Sequence, residues 1–368
     1  MFSYSAKILT GQPMRLAITV TGIALCIVLM LFLLAAYHGV ADGSVDYIRK
    51  NRSDLWVLSS NAWNILRGSS ILFTGDALDI EQIKGVQSVS SVLLTLAGIR
   101  KNDQQATVFL TGFDPEADLG GPPHIYEGRS VENDQEIVLD KDFAKKFNLT
   151  LGESVMIRDV ELSIVGLSDG TNSLVIQYAF VTLNRAQRLI GYPGMATCFL
   201  VSAEMGANLS VISEGIKMKL DGVEVYDHET FLKNNIKELQ TGFLPFIFTV
   251  AALGVVVLTA ILSLLLSVNI LEKRKDFAVF KILGSPRGFV SGMVISQSVI
   301  ISLAGCLTAV VLYFPLVSFI ERVTPELNTK TSLMQMILVV TVVLVMSVVS
   351  SLISMQRLRR IYALEAFS

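Results

Sequence analysis

The chain is 368 residues long, 52% of them hydrophobic and 17% charged, with a formal net charge of −2. A soluble globular chain carries about 25% charged residues, so this composition excludes an ordinary soluble enzyme, and no nucleic-acid partner is expected. The near-neutral total hides a split: residues 38–241 hold 18 Lys and Arg against 27 Asp and Glu, a net of −9, and the remainder holds 12 against 5, a net of +7.

Residues 1–15 read as a cytoplasmic N-terminal segment. Phe2, Tyr4, Ile8 and Leu9 suggest an amphipathic surface helix, and Pro13 is expected to break it. Leu16–Ala36 opens a series of four apolar segments, each long enough for the roughly 20 residues that cross a bilayer. The expected spans are residues 16–37, 243–269, 289–319 and 333–355. The first exceeds a signal-peptide core and no small-residue cleavage site follows it, so it reads as an uncleaved anchor.

Residues 38–241 read as a large extracytoplasmic α+β domain of two lobes, inserted between the first and second spans. Asp76 is expected to cap a short helix with Leu78, Ile80 and Ile83 on its apolar face and Gly85 as its stop. Strands are expected at Val86–Ile99 and Ala106–Phe113, with a turn at Arg100–Gln105. Gly120–Pro123 is a loop. Strand Glu136–Leu139 leads through Asp140, as a cap, to a helix presenting Phe143 and Phe147. Strands Ser154–Ile157 and Glu161–Leu167 follow a turn at Gly152 and Glu153. Asp227–Gln240 reads as a helix running into the second span, with Asp42–Lys50 as its stalk partner. Trp56 and Trp63 read as core or interfacial anchors.

Three further segments join or follow the spans: residues 270–288, 320–332 and 356–368. Basic residues concentrate in the first and last of these (Lys273, Arg274, Lys275, Lys281, Arg287; Arg357, Arg359, Arg360) and before the first span (Lys7, Arg15). Four spans put these stretches on one side, and the positive-inside rule makes that side cytoplasmic. The spans are almost free of ionisable residues. Gln297 is the notable polar group of the third, which argues against an ion-coupled carrier. Pro315 is expected to kink or end that span, and Gly22, Gly254 and Gly305 to allow close helix approach.

Cys26 and Cys306 lie in spans and Cys198 alone in the domain, so the domain holds no internal disulfide. There is no GxxxxGK[ST] phosphate loop, no HExxH, no paired CxxC and no G-x-S-x-G elbow. His38, His124 and His228 are far apart. The chain is therefore expected not to be an enzyme and to bind no metal or cofactor itself.

The loop after the second span carries Glu272, Lys273, Arg274, Asp276, Phe277, Phe280, Lys281, Leu283, Gly284 and Ser285, of which Phe277, Phe280, Lys281 and Gly284 stand at helical spacing. This string resembles the cytoplasmic signature of FtsX/MacB-type ABC transporter permeases (the type VII superfamily). Phe277 and Ala278 stand where the family has Ile and Gly. The end of the chain, from Arg359 and Arg360 to Glu365-Ala366-Phe367, resembles the family ending, with Ala363 for its Pro and Phe367 for its Leu. Glu127-Gly128-Arg129, Glu136–Asp140, Ala144, Leu149, Leu151-Gly152-Glu153 and Ile164-Val165-Gly166 resemble the MacB-like periplasmic core. Asp54-Leu55-Trp56 and Gly112-Phe113-Asp114-Pro115 look nearest to the DevC-type branch.

The resemblance implies a half-transporter without a fused ATPase. Two permease copies would bind a separate ATPase dimer, which holds the ATP and Mg. Glu272, Lys273, Arg274, Asp276, Phe277, Phe280, Lys281 and Gly284 would form the coupling helix, beside a tail containing Arg359, Arg360 and Glu365. The outer domain would act from the inner membrane into the periplasm, with a periplasmic adaptor and a TolC-like outer-membrane channel as further partners in an efflux role. Lol-like extraction of lipoproteins or lipids and FtsX-like signalling to cell-wall hydrolases remain alternatives.

Overall fold

The computed structural model describes residues 13–51, 53–65, 70–102, 104–117, 119–172, 177–242, 244–272, 289–323 and 332–358. They divide into two compact units, one containing His38–Pro245 and the other the apolar helices.

In chain order the elements are α1 (Pro13–Lys50), β1 (Leu55–Ser59), β2 (Leu72–Phe73), α2 (Asp76–Glu81), β3 (Val86–Lys101), β4 (Gln104–Phe113), β5 (Ile125–Gly128), β6 (Glu136–Asp140), α3 (Lys141–Lys146), β7 (Ser154–Ile157), β8 (Val160–Ser168) and β9 (Gln177–Thr182). There follow α4 (Leu183–Ile190), β10 (Met195–Ala196), β11 (Cys198–Ala203), α5 (Leu209–Lys219), β12 (Val223–Asp227), α6 (His228–Gly242), α7 (Leu244–Glu272), α8 (Phe289–Val323) and α9 (Leu333–Leu358).

The α+β unit is built on a mixed sheet in the order β12-β1-β11-β3-β4-β9-β6-β8-β5, with β7 beside β3 and β8. Where two lobes are expected, the residues His38–Pro245 fall in one compact unit on one continuous sheet, and β3 is long enough to join its two halves. Its first half pairs with β11 from Val86 to Val92, and its second half pairs with β4 from Leu93 to Lys101. The β4–β9 and β6–β8 pairs are parallel.

Strand alternation sorts the core. In β1, Leu55 and Val57 face one apolar cluster and Trp56 and Leu58 another. Both faces are buried, so this strand reads as a continuous apolar run rather than an alternating one. Each large side chain so buried contributes about 1.5–3 kcal/mol.

Several helix expectations are corrected. The cap of α2 is Gly75, with no side-chain cap bond, and Asp76 is already helical. Leu78 is exposed, while Ala77 and Ile80 face the core. The Asp140 expectation holds: its carboxylate accepts from the amides of Asp142 and Phe143. Pro13 is the first described residue of α1, and the helix it is expected to break lies outside the described residues. Pro315 lies inside α8, which continues to Val323.

Among the described residues, three helices are long and apolar enough to span a membrane: Leu16–Ala36, Gly292–Ile320 and Leu333–Leu352. The expected second span falls in α7, whose apolar stretch there is Phe248–Ile261. Of the three glycines expected to let helices approach, only Gly305 does so. A Cβ there would lie 2.6 Å from Ile23 Cγ2, whereas Gly22 and Gly254 face open space.

Candidate functional site

The two helices of the α+β unit that continue toward apolar segments meet in one cluster. Tyr47 and Ile48 come from the end of α1, and Phe231 and Leu232 from α6, around Trp56, Leu58, Tyr178 and Phe180. Tyr47 stacks on Tyr178 with ring centroids 4.9 Å apart. Its hydroxyl, fully buried, donates to the Gly120 carbonyl at 2.8 Å. Phe231 stacks on Trp56 at 4.6 Å. Offset aromatic pairs of this kind add about 0.5–1.5 kcal/mol beyond area burial.

Asn235 secures α6 from within. Its Oδ1 accepts from the Ile65 amide at 3.1 Å, and its Nδ2 donates to the Phe231 carbonyl at 2.8 Å. The N-terminus of α6 is capped by Asp227, which accepts from the Thr230 amide and hydroxyl at 2.9 and 2.6 Å. Those Thr230 hydrogen bonds hold the Asp227 carboxyl below its usual range. Tyr47 and Asn235 escape a search for apolar periodicity. Asn235 is legible only as a polar residue four positions from Phe231, on the buried side of a charged helix.

The residues carrying the periplasmic-core resemblance have structural work. Gly128 pairs with Gly166 across β5 and β8. A side chain on Gly166 would run into the Arg129 carbonyl, and one on Gly128 into that of Val165. Arg129 forms a fork on Glu136, with Nη1 to Oε2 at 2.8 Å and Nη2 to Oε1 at 2.6 Å. The Glu132 amide and Asn133 side chain also donate to Glu136. The Arg129 hydrogen bonds, above all, hold the Glu136 carboxyl down to about 2. Asp140 lies at the other end of the same strand. Burial pushes its carboxyl up to about 6, although Thr171 donates to it at 2.7 Å.

In the apolar unit, Ile23, Ala24, Ile27 and Leu31 of α1 pack with Ile301, Cys306, Ala309 and Tyr313 of α8. Ser298 donates to the Ser347 carbonyl at 2.7 Å, joining α8 to α9. Interhelical hydrogen bonds of this type contribute about 0.6–2 kcal/mol in a membrane.

Glu272, expected to begin the coupling segment, is the last residue of α7. Lys273, Arg274, Asp276, Phe277, Phe280, Lys281 and Gly284 lie outside the described residues, as do Arg359, Arg360 and Glu365. The expected amphipathic segment before Pro13 lies outside them too. Trp56 is a core residue, and Trp63 is partly exposed.

Comparison with known proteins gives a consistent picture. The family model of the MacB-like periplasmic core domain matches residues 16–218, and that of the FtsX-like permease C-terminal matches residues 248–363. An uncharacterized ABC transporter permease of Mycobacterium tuberculosis is 24% identical over 303 residues, covering 81% of each chain. One from Methanocaldococcus jannaschii is 22% identical over 354 residues, covering 89% of this chain and 86% of that one. Among solved structures, the periplasmic region of MacB from Actinobacillus actinomycetemcomitans is similar at 18% identity and a TM-score of 0.42, over 52% of this chain and 95% of that one. The extracellular domain of the noncanonic ABC-type transporter YknZ from Gram-positive bacteria is similar at 14% identity and a TM-score of 0.37, over 48% and 99%. The two family models follow one another along the chain, one over the α+β unit and one over the C-terminal helices, so the chain belongs to the FtsX/MacB-like family of ABC transporter permeases.

Proposed function

We propose that this permease carries an ATP-driven conformational change from a separate ATPase dimer to its α+β domain, and so powers export of an amphiphile such as a glycolipid, peptide or drug. The observation that supports this most directly is the shared seating of α1 and α6 around Trp56 and Tyr178. A packed core is nearly incompressible, so movement of either helix is passed to the sheet instead of being absorbed. ATP drives the change only if it favours one permease conformation over the other.

In this reading the chain crosses the inner membrane four times, with α7 as the second crossing and the α+β domain in the periplasm. Positive-inside charge supports that orientation. Glu272, Lys273, Arg274, Asp276, Phe277, Phe280, Lys281 and Gly284 form the coupling surface, and Arg359, Arg360 and Glu365 flank it. A second copy of the chain completes the permease. A periplasmic adaptor and an outer-membrane channel carry the cargo onward.

The test is affinity purification of the intact protein in mild detergent, with mass spectrometry of its companions. A P-loop ATPase with an adaptor and a channel supports efflux. A lipoprotein carrier in place of the channel favours extraction, and a cell-wall hydrolase favours signalling. Recovery of no ATPase overturns the proposal. The Lys281→Glu variant is expected to lose the ATPase severalfold while the permease is still recovered.

A further inference from the structure

The α+β domain contains a cleft of about 660 Å³ that the coupling mechanism does not use. That volume falls in the range of small-molecule sites, roughly 300–1,000 Å³. Leu94 and Thr95 of β3 line it together with Phe73, Tyr192 and Met195. The lining is fixed before any ligand arrives. Met195 pairs with Phe73 across β2 and β10. Gln187 Nε2 donates to the Met195 carbonyl at 2.9 Å, and the Leu94 amide donates to Thr197 Oγ1 at 3.0 Å.

Three apolar lining residues are exposed: Ile71 is 57% exposed, Phe73 67% and Tyr192 67%. These three side chains line one cleft, so their exposed apolar surface is gathered in one place instead of scattered. One cation also lines the cleft. Arg158 donates Nη1 to the Leu189 carbonyl at 2.8 Å, which fixes its guanidinium there. The adjacent acid, Asp159, pairs with Arg100 instead. Guanidinium is matched to carboxylate and phosphate by its planar fork of donors.

We infer that this cleft binds the alkyl chain of an anionic amphiphile, with the carboxylate or phosphate head on Arg158. The inference rests on the export reading above and narrows its cargo class. It explains why an apolar cleft carries a cation in a domain whose net charge is −9.

The test uses the full-length protein in phosphatidylcholine nanodiscs with a diazirine-bearing palmitate, and the crosslinks are mapped by mass spectrometry. Label is expected on the peptides containing Ile71–Phe73 and Tyr192–Thr197. Thr95→Trp, which adds bulk to the lining, should reduce it severalfold. Phe73→Glu, at an exposed lining position where folding is not at stake, should do the same. Arg158→Gln should weaken labelling by the palmitate probe and leave labelling by the matching alcohol unchanged. Label confined to the apolar helices, or undiminished in Phe73→Glu, overturns the site. Equal labelling by alcohol and carboxylate overturns the headgroup assignment. ATPase recovery from the same samples separates the two ideas: ATPase present without cleft label removes the site alone, and cleft label without ATPase removes the transport reading alone.

Discussion

The Tyr47 hydroxyl donates to the Gly120 carbonyl across 73 positions of sequence, in a fully buried 2.8 Å hydrogen bond. The last turn of α1 is thereby pinned to the loop that follows β4. Tyr47 also stacks on Tyr178 of β9, so one side chain ties a helix, a loop and a central strand together.

Tyr47→Phe keeps the ring stack and removes the donor. The Gly120 carbonyl then lies buried without a partner, at a cost of about 1–3 kcal/mol. Hydrogen exchange on the full-length protein should show faster exchange at the end of α1 and around Gly120. Exchange in α3 and β7, which belong to another cluster, should not change. Uniformly faster exchange throughout the domain would count against a local pin.

Glu136 and Asp140 sit at opposite ends of β6 and should impose opposite pH dependences. The Glu136 carboxyl is held from 4.5 down to about 2. Its contribution is present above pH 4.5 and is lost as pH falls through about 2. Glu136→Gln should therefore flatten the loss of stability between pH 4.5 and 2, measured by the thermal unfolding midpoint of the full chain.

Asp140 is raised from 3.8 to about 6, chiefly by burial. Its contribution is complete below pH 3.8 and is lost as pH rises through about 6. Asp140→Asn keeps a capping oxygen and carries no charge, so it should remove that decline between pH 4 and 6. Asp140→Ala also loses the cap and should cost about 1 kcal/mol at any pH. An unchanged pH profile in Asp140→Asn would show that this carboxylate does not hold its proton in the folded state.

Gly305 brings α8 against Ile23 of α1, where an added Cβ would lie 2.6 Å from Ile23 Cγ2. Gly305→Ala should destabilise the detergent-solubilised protein by about 1–3 kcal/mol through overpacking. Ile23→Ala opens space at the same point and should partly rescue it. A double-mutant cycle in thermal aggregation reads the coupling, and strict additivity would argue that the two residues do not meet.

Much of the α+β unit was legible locally. Asp140 followed by Phe143 and Phe147 marks a capped helix because the donors it satisfies are its own neighbours in sequence. Asp76 misled for a related reason. An acid in the first turn favours the helix through the dipole whether or not it caps, so the cap fell to Gly75. The resemblance singled out Gly128, Arg129, Glu136 and Gly166. What they do, a close backbone approach beside a bidentate ion pair, appears only when β5, β6 and β8 are brought together. Of the coupling residues, Glu272 is placed only as the end of α7.

The sequence by itself determined that the chain is a membrane protein with a large α+β domain, and pointed to its family. Span length, charge distribution and local motifs are properties of contiguous residues, so a single chain displays them. The tertiary structure alone decided that α1 and α6 share one core, that β3 joins the two halves of the sheet, and that Arg158 stands beside an apolar cleft. Each depends on residues far apart in sequence whose meeting is set by strand pairing and side-chain packing, and neither leaves a periodic trace along the chain.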